Sequence, residues 1–266
     1  MTNIEVTDTT IDEVGNITNS MLSSQVLKAI YQASLSVSRG VYVEIGPAQG
    51  GSTLAIALGR RSAGRNDMIY TADAFTQSAA LKTDDVGVNV AILRSNLAEF
   101  GVGDHVRIIV VPRDDISTTV PVDAEIGLLF IDADGAIDRD FSQFYDRIIP
   151  GGHIVLDDYE NKRSGEYLSY TNERLQKYVH NKHLDDIADL NPFGKHYTVY
   201  HFAQALVELG LIEEVATVAI TGFFRKVGQK SYAESGARAR LAETRAAIAR
   251  EFYERREKHA PAAARN

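Results

Sequence analysis

The sequence predicts an α/β protein built on a doubly wound, mostly parallel sheet of seven strands, with an antiparallel strand at its C-terminal end. Three observations support this fold class. Five short apolar runs alternate with segments of helical length up to residue 158, as in repeated βαβ units. Each run is nearly continuous in hydrophobicity, which is typical of strands covered on both faces. Two more apolar runs follow later and meet at Thr221-Gly222, a pair that favours a tight reversal.

The composition restricts the class of protein. The 266 residues suit one large domain or two small ones, and the 44% hydrophobic fraction excludes disorder as the main state. The lack of cysteine excludes a disulfide framework and a zinc–thiolate site. The net charge of −8 argues against a nucleic-acid partner. No apolar run is long enough to span a membrane, and the polar N-terminus has no signal-peptide pattern, so we expect a cytoplasmic protein without a membrane partner.

The elements follow in regular order along the chain. Residues 1–24 form the predicted N-terminal arm or cap, a loose segment with little periodicity over most of its length. From Ser23 the apolar residues repeat with helical spacing until Arg39-Gly40. The first five predicted strands are 41–46, 68–73, 106–111, 127–132 and 153–158. The helices predicted between these strands are 52–62, about 85–100 and 138–148.

After Asp158 the alternation ends. Residues 159–197 are polar and contain several tyrosines, and they form an insertion in a predicted main domain of residues 25–230. The elements that complete this domain are a helix over about 198–209 and strands over 213–220 and 222–227. Residues 231–266 are predicted to form a C-terminal helix and tail. Two interpretations of this helix stay open: it docks on its own domain with a solvated outer face, or it forms the contact of a homo-oligomer.

The first predicted strand leads into a turn that is suited to bind a cofactor. Residues 44–53 read Glu-Ile-Gly-Pro-Ala-Gln-Gly-Gly-Ser-Thr. The glycines let a ligand approach the backbone closely, and the start of the next helix offers free N–H groups. The spacing differs from the G-x-G-x-x-G pattern of dinucleotide-binding folds and from phosphate-binding loops. This difference argues against a nicotinamide-dependent oxidoreductase, the alternative enzyme class on a similar sheet.

Carboxylates follow the ends of the next two strands. Asp73 ends the second strand, where a carboxylate commonly holds ribose hydroxyls. Asp114 and Asp115 follow the third strand, where a carboxylate can accept a hydrogen bond from an exocyclic amine. Each of them is also a suitable helix cap or turn residue. Their occurrence at successive strand ends, after a glycine turn, favours ligand binding.

A second group of carboxylates follows the fourth and fifth strands. Asp132 and Asp134 lie at the end of the fourth strand, and Asp157 and Asp158 lie at the end of the fifth. Neighbouring strands are about 4.8 Å apart, so these side chains are expected to converge at one edge of the sheet. A divalent cation would relieve their repulsion, and oxygen ligands favour a hard ion such as Mg²⁺. The alternative is that these residues only cap loops or bond to the backbone.

Together these motifs resemble the class I S-adenosylmethionine-dependent methyltransferases. They are more closely similar to the bacterial small-molecule and sugar O-methyltransferases, and to the metal-dependent catechol and caffeoyl-CoA O-methyltransferases. The resemblance is carried by E-I-G-x-x-x-G-G-S-T, by F-I-D-A-D at 130–134 and by P-G-G-x-I-V-L-D-D at 150–158, and it covers about residues 25–227. It implies methyl transfer from S-adenosylmethionine to an oxygen of a small acceptor, such as a sugar or another secondary metabolite.

The resemblance also implies site residues. A metal ion would be held by Asp132, Asp157 and Asp158. The insertion 159–197 would cover the acceptor site together with residues 1–24. The residues implied in cofactor binding are Glu44, Gly46, Ala48, Gly50, Ser52, Thr53, Asp73, Asp114, Asp115 and Asp132.

The sequence departs from this family at Gly135, where relatives commonly have the lysine or histidine that serves as the base. Three explanations stay open. Another residue takes the role, the acceptor is already ionised, or the metal alone is sufficient. Asp134 and His196 are our catalytic candidates, and His153 and His201 are further ones. A methyltransferase fold that has lost its activity is the non-enzymatic alternative.

Overall fold

The fold is a seven-stranded sheet between two layers of helices. The computed structural model describes residues 7–76, 83–111, 120–132, 137–162 and 195–259. The strands are β1 (Val41–Ile45), β2 (Ile69–Asp73), β3 (Val106–Val110), β4 (Ile126–Ile131), β5 (Ile148–Leu156), β6 (Ile212–Val218) and β7 (Thr221–Lys226). The helices are α1 (Asp8–Ile17), α2 (Ser24–Leu35), α3 (Gly51–Ser62), α4 (Val86–Glu99), α5 (Ile137–Phe144), α6 (Lys195–Glu208) and α7 (Ala237–His259). Two short 3-10 helices cover Gly103–His105 and Tyr145–Arg147.

The strand order is β3-β2-β1-β4-β5-β7-β6. Strands β1 to β5 pair in parallel, and β7 is antiparallel to both of its neighbours, β5 and β6. The predicted doubly wound sheet with an antiparallel C-terminal strand is therefore confirmed. The order reverses beside β1, which lies between β2 and β4, and ligands of open α/β sheets bind at such a point, beyond the carboxyl ends of the strands.

The core consists of two apolar layers, one on each face of the sheet. Along β1, Tyr42 faces the layer that contains α1 to α4, and Val43 faces the layer that contains α5 to α7. This alternation follows from the two-residue repeat of a strand. Leu241 and Ile248 of α7 are buried in the second layer, so the C-terminal helix docks on its own domain, in agreement with the first of its two interpretations.

Three local predictions differ from the structure. The N-terminal arm contains a regular helix, α1, because Thr7 and Thr10 form a reciprocal capping box and Ile11 is buried. The tight reversal lies at residues 219–220, before β7, rather than at Thr221-Gly222. Ala219 in this reversal adopts a left-handed conformation with φ 52°. The fifth strand begins at Ile148, five residues earlier than predicted, because the chain continues in strand pairing past the Pro150-Gly151-Gly152 signal.

Gly127 allows a close crossing in β4. A Cβ atom at this position would collide with the carbonyl oxygen of Arg39 and with Cγ1 of Val37. We therefore expect Gly127→Ala to lower the free energy of unfolding by about 1–3 kcal/mol, the usual cost of overpacking a core. Chemical denaturation measures this change. Gly103→Ala is the control, since the nearest atom to its Cβ would be 3.9 Å away. Equal stability of the two variants would contradict the prediction.

Among the helices of the described ranges, none combines the length and the apolar character that crossing a membrane requires.

Candidate active site

A cavity of about 220 Å³ opens at the carboxyl ends of the central strands. It joins the turn after β1 to the acidic residues after β2, β4 and β5, and residues 18–22 form its opposite wall. The lining residues are Thr18, Asn19, Ser20, Met21, Leu22, Gly46, Pro47, Ala48, Gln49, Gly51, Ser52, Asp73, Asp132, Asp157, Asp158 and Lys195. Described members of both groups of residues singled out from the sequence thus face one space.

The turn after β1 has the backbone geometry that its glycines predict. Gly46 and Gly50 have φ angles of 90° and 97°, and Ala48 also lies in the left-handed region at 47°. At Gly50 a Cβ would in addition collide with the Leu93 side chain. The first N–H groups of a helix have no intrahelical partners. In α3 the cap residue, Gly50, supplies no side-chain hydrogen bond to them. These N–H groups and the positive end of the helix dipole suit a negatively charged or polar part of a ligand.

Glu44 supports this turn from below. Its side chain is completely buried, and its oxygens accept hydrogen bonds from Ser52 (2.5 Å) and Thr53 (2.6 Å) of α3 and from Thr71 (2.6 Å) of β2. Burial raises the pKa of this carboxyl group, and the three hydroxyls partly offset that effect. Neither Glu44 nor Thr53 lines the cavity, so their place is behind the cofactor loop, where they fix α3 against the sheet.

Asp73 lies at the end of β2 and lines the cavity, and its contact with ribose hydroxyls stays a prediction. Its Oδ1 accepts a hydrogen bond of 2.7 Å from the backbone N–H of Phe75, which orients the carboxylate. Asp114 and Asp115, the predicted adenine contacts, lie outside the described residues, as do Asp134 and Gly135.

Asp132, Asp157 and Asp158 converge as the strand pairing predicts. One oxygen of each lies within 4.8 Å of the others. Thr221 donates a 2.6 Å hydrogen bond to Oδ1 of Asp157. Burial, reinforced by the neighbouring charge of Asp132, raises the pKa of Asp157 to about 7. Asp158 has a φ of 57°, a strained backbone conformation that is common at functional sites. We call these three residues the acidic cluster.

Two side chains from the start of α6 reach the acidic cluster. Lys195 Nζ lies 2.8 Å from Oδ1 of Asp132 and 2.6 Å from Oδ2 of Asp158. Burial alone would lower the pKa of Lys195, but the two carboxylates outweigh it and raise the pKa above its usual value. His196 Nε2 lies 3.1 Å from Oδ1 of Asp158, and Nδ1 lies 3.5 Å from Oε2 of Glu160. The structure therefore brings the predicted catalytic candidate His196 to the site.

The sequence-based prediction does not place Lys195 at the acidic cluster and suggests it, with Lys162 and Arg163, only as a contact for an acidic acceptor. Lys195 is 63 positions from Asp132 in the chain, and no local pattern marks it. Its neighbour His196 was the available signal, since a helix that places one of these residues at the cluster places the other near it.

The two other candidate histidines lie elsewhere. His153 is in β5, where its Nε2 is 2.9 Å from the hydroxyl of Ser36, and burial lowers its pKa to about 4. His201 lies in α6 one turn after Tyr197 and packs on it, with ring centroids 4.2 Å apart. Neither residue lines the cavity. His196 does not line it either, but its ring contacts Asp158, which does.

Residues 18–22 cover the cofactor loop. The Ser20 side chain lies so close to Gly51 that a Cβ there would be 2.6 Å from its hydroxyl oxygen. Met21 also lines the cavity, although it is 75% exposed. The predicted cover of the site by the N-terminal segment agrees with this contact, whereas the insertion beyond residue 162 lies outside the described residues.

Residues 43–159 match the model of a family described as a methyltransferase domain. Comparison with curated proteins finds no match. Solved structures with a similar fold include the methyltransferase PaMTH1 of Podospora anserina bound to S-adenosylhomocysteine, at 18% identity over 82% of this chain and 88% of that chain, with a TM-score of 0.56.

Two O-methyltransferases have a similar fold. TomG from Streptomyces achromogenes, bound to S-adenosylmethionine, shares 17% identity over 83% of this chain and 89% of that chain, with a TM-score of 0.55. An O-methyltransferase from Bacillus cereus, bound to S-adenosylhomocysteine, shares 17% identity over 85% of this chain and 94% of that chain, also with a TM-score of 0.55.

These comparisons agree with the geometry of the site. The matched segment runs from β1 to the end of β5, so it contains the glycine turn, Asp73 and the acidic cluster. Structural likeness at these identities establishes the fold, and the family model adds the type of domain. Residues 43–159 are thus similar to a methyltransferase domain, and the fold agrees with the class I S-adenosylmethionine-dependent methyltransferases that the motifs resemble.

Proposed function

We propose that this protein transfers a methyl group from S-adenosylmethionine to an oxygen of a small-molecule acceptor, such as a sugar or another natural product. The observation that carries the proposal is the single cavity that joins the glycine turn and Asp73 to the acidic cluster. The first part suits the cofactor, and the second suits the acceptor oxygen. Similar folds in named O-methyltransferases support oxygen as the methylated atom.

The reaction is an in-line displacement. A lone pair of the acceptor oxygen forms a bond to the methyl carbon while the bond from that carbon to sulfur breaks, and S-adenosylhomocysteine leaves. The sulfonium supplies the reactivity, so the protein contributes mainly position and electrostatics. If the acceptor is a hydroxyl group, its proton must also be removed.

His196 is the predicted base candidate that contacts the cavity wall, because its Nε2 lies 3.1 Å from Oδ1 of Asp158. Its two ring nitrogens lie 3.1 and 3.5 Å from carboxylate oxygens of Asp158 and Glu160, and these contacts orient the ring. Asp134, the second predicted candidate, lies outside the described residues. We propose His196 as the general base of this site.

The acidic cluster is the predicted site of a magnesium ion. Three carboxylates close together have the hard oxygen donors that Mg²⁺ prefers, and this supports a metal. The position of Lys195 opposes it, because Nζ already contacts Oδ1 of Asp132 and Oδ2 of Asp158 and brings a positive charge into the acidic cluster. The site in this arrangement does not fit a metal, and we derive no step through one.

Asp73 provides a test of the cofactor site. We expect Asp73→Asn to weaken S-adenosylhomocysteine binding about 10- to 100-fold, because a hydrogen bond to a charged group contributes about 1.5–3 kcal/mol. Isothermal titration calorimetry measures the change. Asp104→Asn is the matched control, since Asp104 is exposed in the 3-10 helix before β3, at the opposite ends of the strands.

The same titration tests the proposal as a whole. Binding by the unaltered protein supports it, and methyl transfer to a panel of hydroxylated small molecules would then identify the acceptor. No binding of S-adenosylhomocysteine would refute the proposal. Binding without transfer to any acceptor would instead favour the inactive methyltransferase fold.

A further inference from the structure

We propose that the ammonium group of Lys195 takes the place of a divalent cation at the acidic cluster, so that this protein transfers methyl groups without a bound metal. The inference rests on the proposed function and concerns the acceptor end of the same cavity. It assigns Lys195 as a positioning residue that holds Asp132 and Asp158 and contacts the acceptor oxygen.

The geometry around Nζ is that of an internal counter-ion. Lys195 Nζ is within 2.8 Å of both carboxylates, and each contact is a charge-assisted hydrogen bond of the strong, short type. The three side chains are mostly buried, with exposed fractions of 23% for Lys195, 27% for Asp132 and 16% for Asp158. Screening by solvent is therefore weaker here than at an exposed ion pair.

A metal ion and this ammonium compete for the same oxygen atoms. A Mg²⁺ ion that bridges Oδ1 of Asp132 and Oδ2 of Asp158 must lie about 2.1 Å from each of them. Nζ of Lys195 lies 2.8 and 2.6 Å from these same two oxygens, so both positions fall in the space between the carboxylates. Two positive charges at this separation repel each other, and the ion can bind only if Lys195 moves away.

The remaining contacts also favour the ammonium. Oδ1 of Asp157 already accepts a hydrogen bond from Thr221, and Oδ1 of Asp158 lies 3.1 Å from Nε2 of His196. Side chains of the protein itself thus already occupy several of the carboxylate oxygens that could bind a metal ion. Helix α6 begins at Lys195 and is anchored in the core by Phe202 and Leu206, so the position of the lysine is set by folding rather than by a flexible loop.

Lys195 can do part of the work of a metal. An ammonium group has three N–H donors, and two of them point to Asp132 and Asp158. Because Lys195 lines the cavity, its third donor is within reach of an acceptor oxygen placed beside the acidic cluster. A positive charge at that point orients the oxygen and favours its deprotonated form. Relatives commonly have a lysine or histidine at the position of Gly135. Lys195 of α6 would supply the positive charge of that residue but not its role as a base.

The test is Mn²⁺ binding, which is measured by calorimetry and by the electron paramagnetic resonance signal of the free ion. Mn²⁺ prefers the same oxygen ligands as Mg²⁺. We expect EDTA-treated unaltered protein to show no site for Mn²⁺ up to about 1 mM. Lys195→Met removes the charge but keeps most of the side-chain length. We expect this variant to bind one Mn²⁺ with a Kd at least about tenfold below that limit.

Two further variants identify the site. Lys195→Met combined with Asp158→Asn should lose the Mn²⁺ binding that Lys195→Met gains. Lys230→Met removes one positive charge from an exposed lysine far from the cavity, and it should behave like the unaltered protein. The measurement on the unaltered protein needs no substitution, so the proposal stays testable even if a variant does not fold.

One Mn²⁺ bound tightly by the unaltered protein would overturn the inference. A folded Lys195→Met variant that binds no Mn²⁺ would also overturn it, because the acidic cluster would then not be a cation site. Neither result concerns the cofactor. S-adenosylhomocysteine binding, measured on the same samples, reports separately on the proposed function.

Discussion

Replacing Glu44 with alanine should lower the free energy of unfolding by about 3–4 kcal/mol. Glu44 is completely buried, and its carboxylate accepts hydrogen bonds from three hydroxyl groups that are themselves buried. A buried donor that loses its partner costs about 1–3 kcal/mol. Ser52 and Thr53 lie in the first turn of α3 and can recover part of this loss by bonding to backbone carbonyls, so the three costs do not simply add.

Chemical denaturation monitored by circular dichroism measures this effect. Glu44→Gln is the informative control, because the amide keeps the size of the side chain and one acceptor oxygen but brings two N–H donors toward hydroxyl groups. We expect its loss of stability to be roughly half that of Glu44→Ala. If Glu44→Ala unfolds within 1 kcal/mol of the unaltered protein, the three hydroxyls do not depend on this carboxylate.

The position of Glu44 shows how far the sequence determines the site. The resemblance implies a cofactor contact there, and the structure places the side chain one layer deeper. Side chains alternate along β1, so Glu44 shares a face with Tyr42 and points toward α3, where hydroxyls of Ser52 and Thr53 meet it. The motif marks residues that the structure gathers around one turn, but only the packing of α3 on the sheet separates those that line the cavity from those that hold the turn.

Asp73 and the acidic cluster were predictable because strand ends in a parallel sheet share one edge. The continuous apolar runs located the strands, and each carboxylate directly followed a run. Lys195 was not predictable in this way. Its distance from Asp132 depends on where α6 packs after a long insertion, and neither periodicity nor composition encodes that packing. The α1 helix was missed for a local reason, since its cap uses two threonines rather than the usual acidic residue.

The stability that Asp157 contributes to the protein should fall as the pH rises from about 4 to 8, while His153, whose pKa is lowered to about 4, contributes in the opposite direction. Burial and the charge of Asp132 raise the pKa of Asp157 from 3.8 to about 7 in the folded protein. Between these two values the folded state binds more protons at this residue than the unfolded state does, so the free energy of unfolding decreases with pH. Below about pH 4 both states are protonated, and above about pH 8 both are ionised and the loss is complete.

Asp157→Asn isolates this contribution. Each pKa unit corresponds to about 1.4 kcal/mol, so the unaltered protein should lose roughly 2–4 kcal/mol over this range through Asp157 alone. The asparagine variant cannot ionise, and its side-chain oxygen can still accept the hydrogen bond from Thr221. We therefore expect it to be more stable than the unaltered protein at pH 8 and to have a flatter dependence on pH.

Urea denaturation at several pH values, with EDTA present to remove divalent ions, measures the two curves. The difference between them cancels the contributions of groups that both proteins share. Asp104→Asn serves as the control for removing an exposed carboxylate, and its curve should follow that of the unaltered protein. Parallel curves for Asp157→Asn and the unaltered protein would mean that Asp157 is ionised throughout, with Lys195 compensating the whole acidic cluster. A steeper fall for the unaltered protein would show that the site holds one carboxylate in its neutral form at low pH, and that Lys195 balances only the two it contacts.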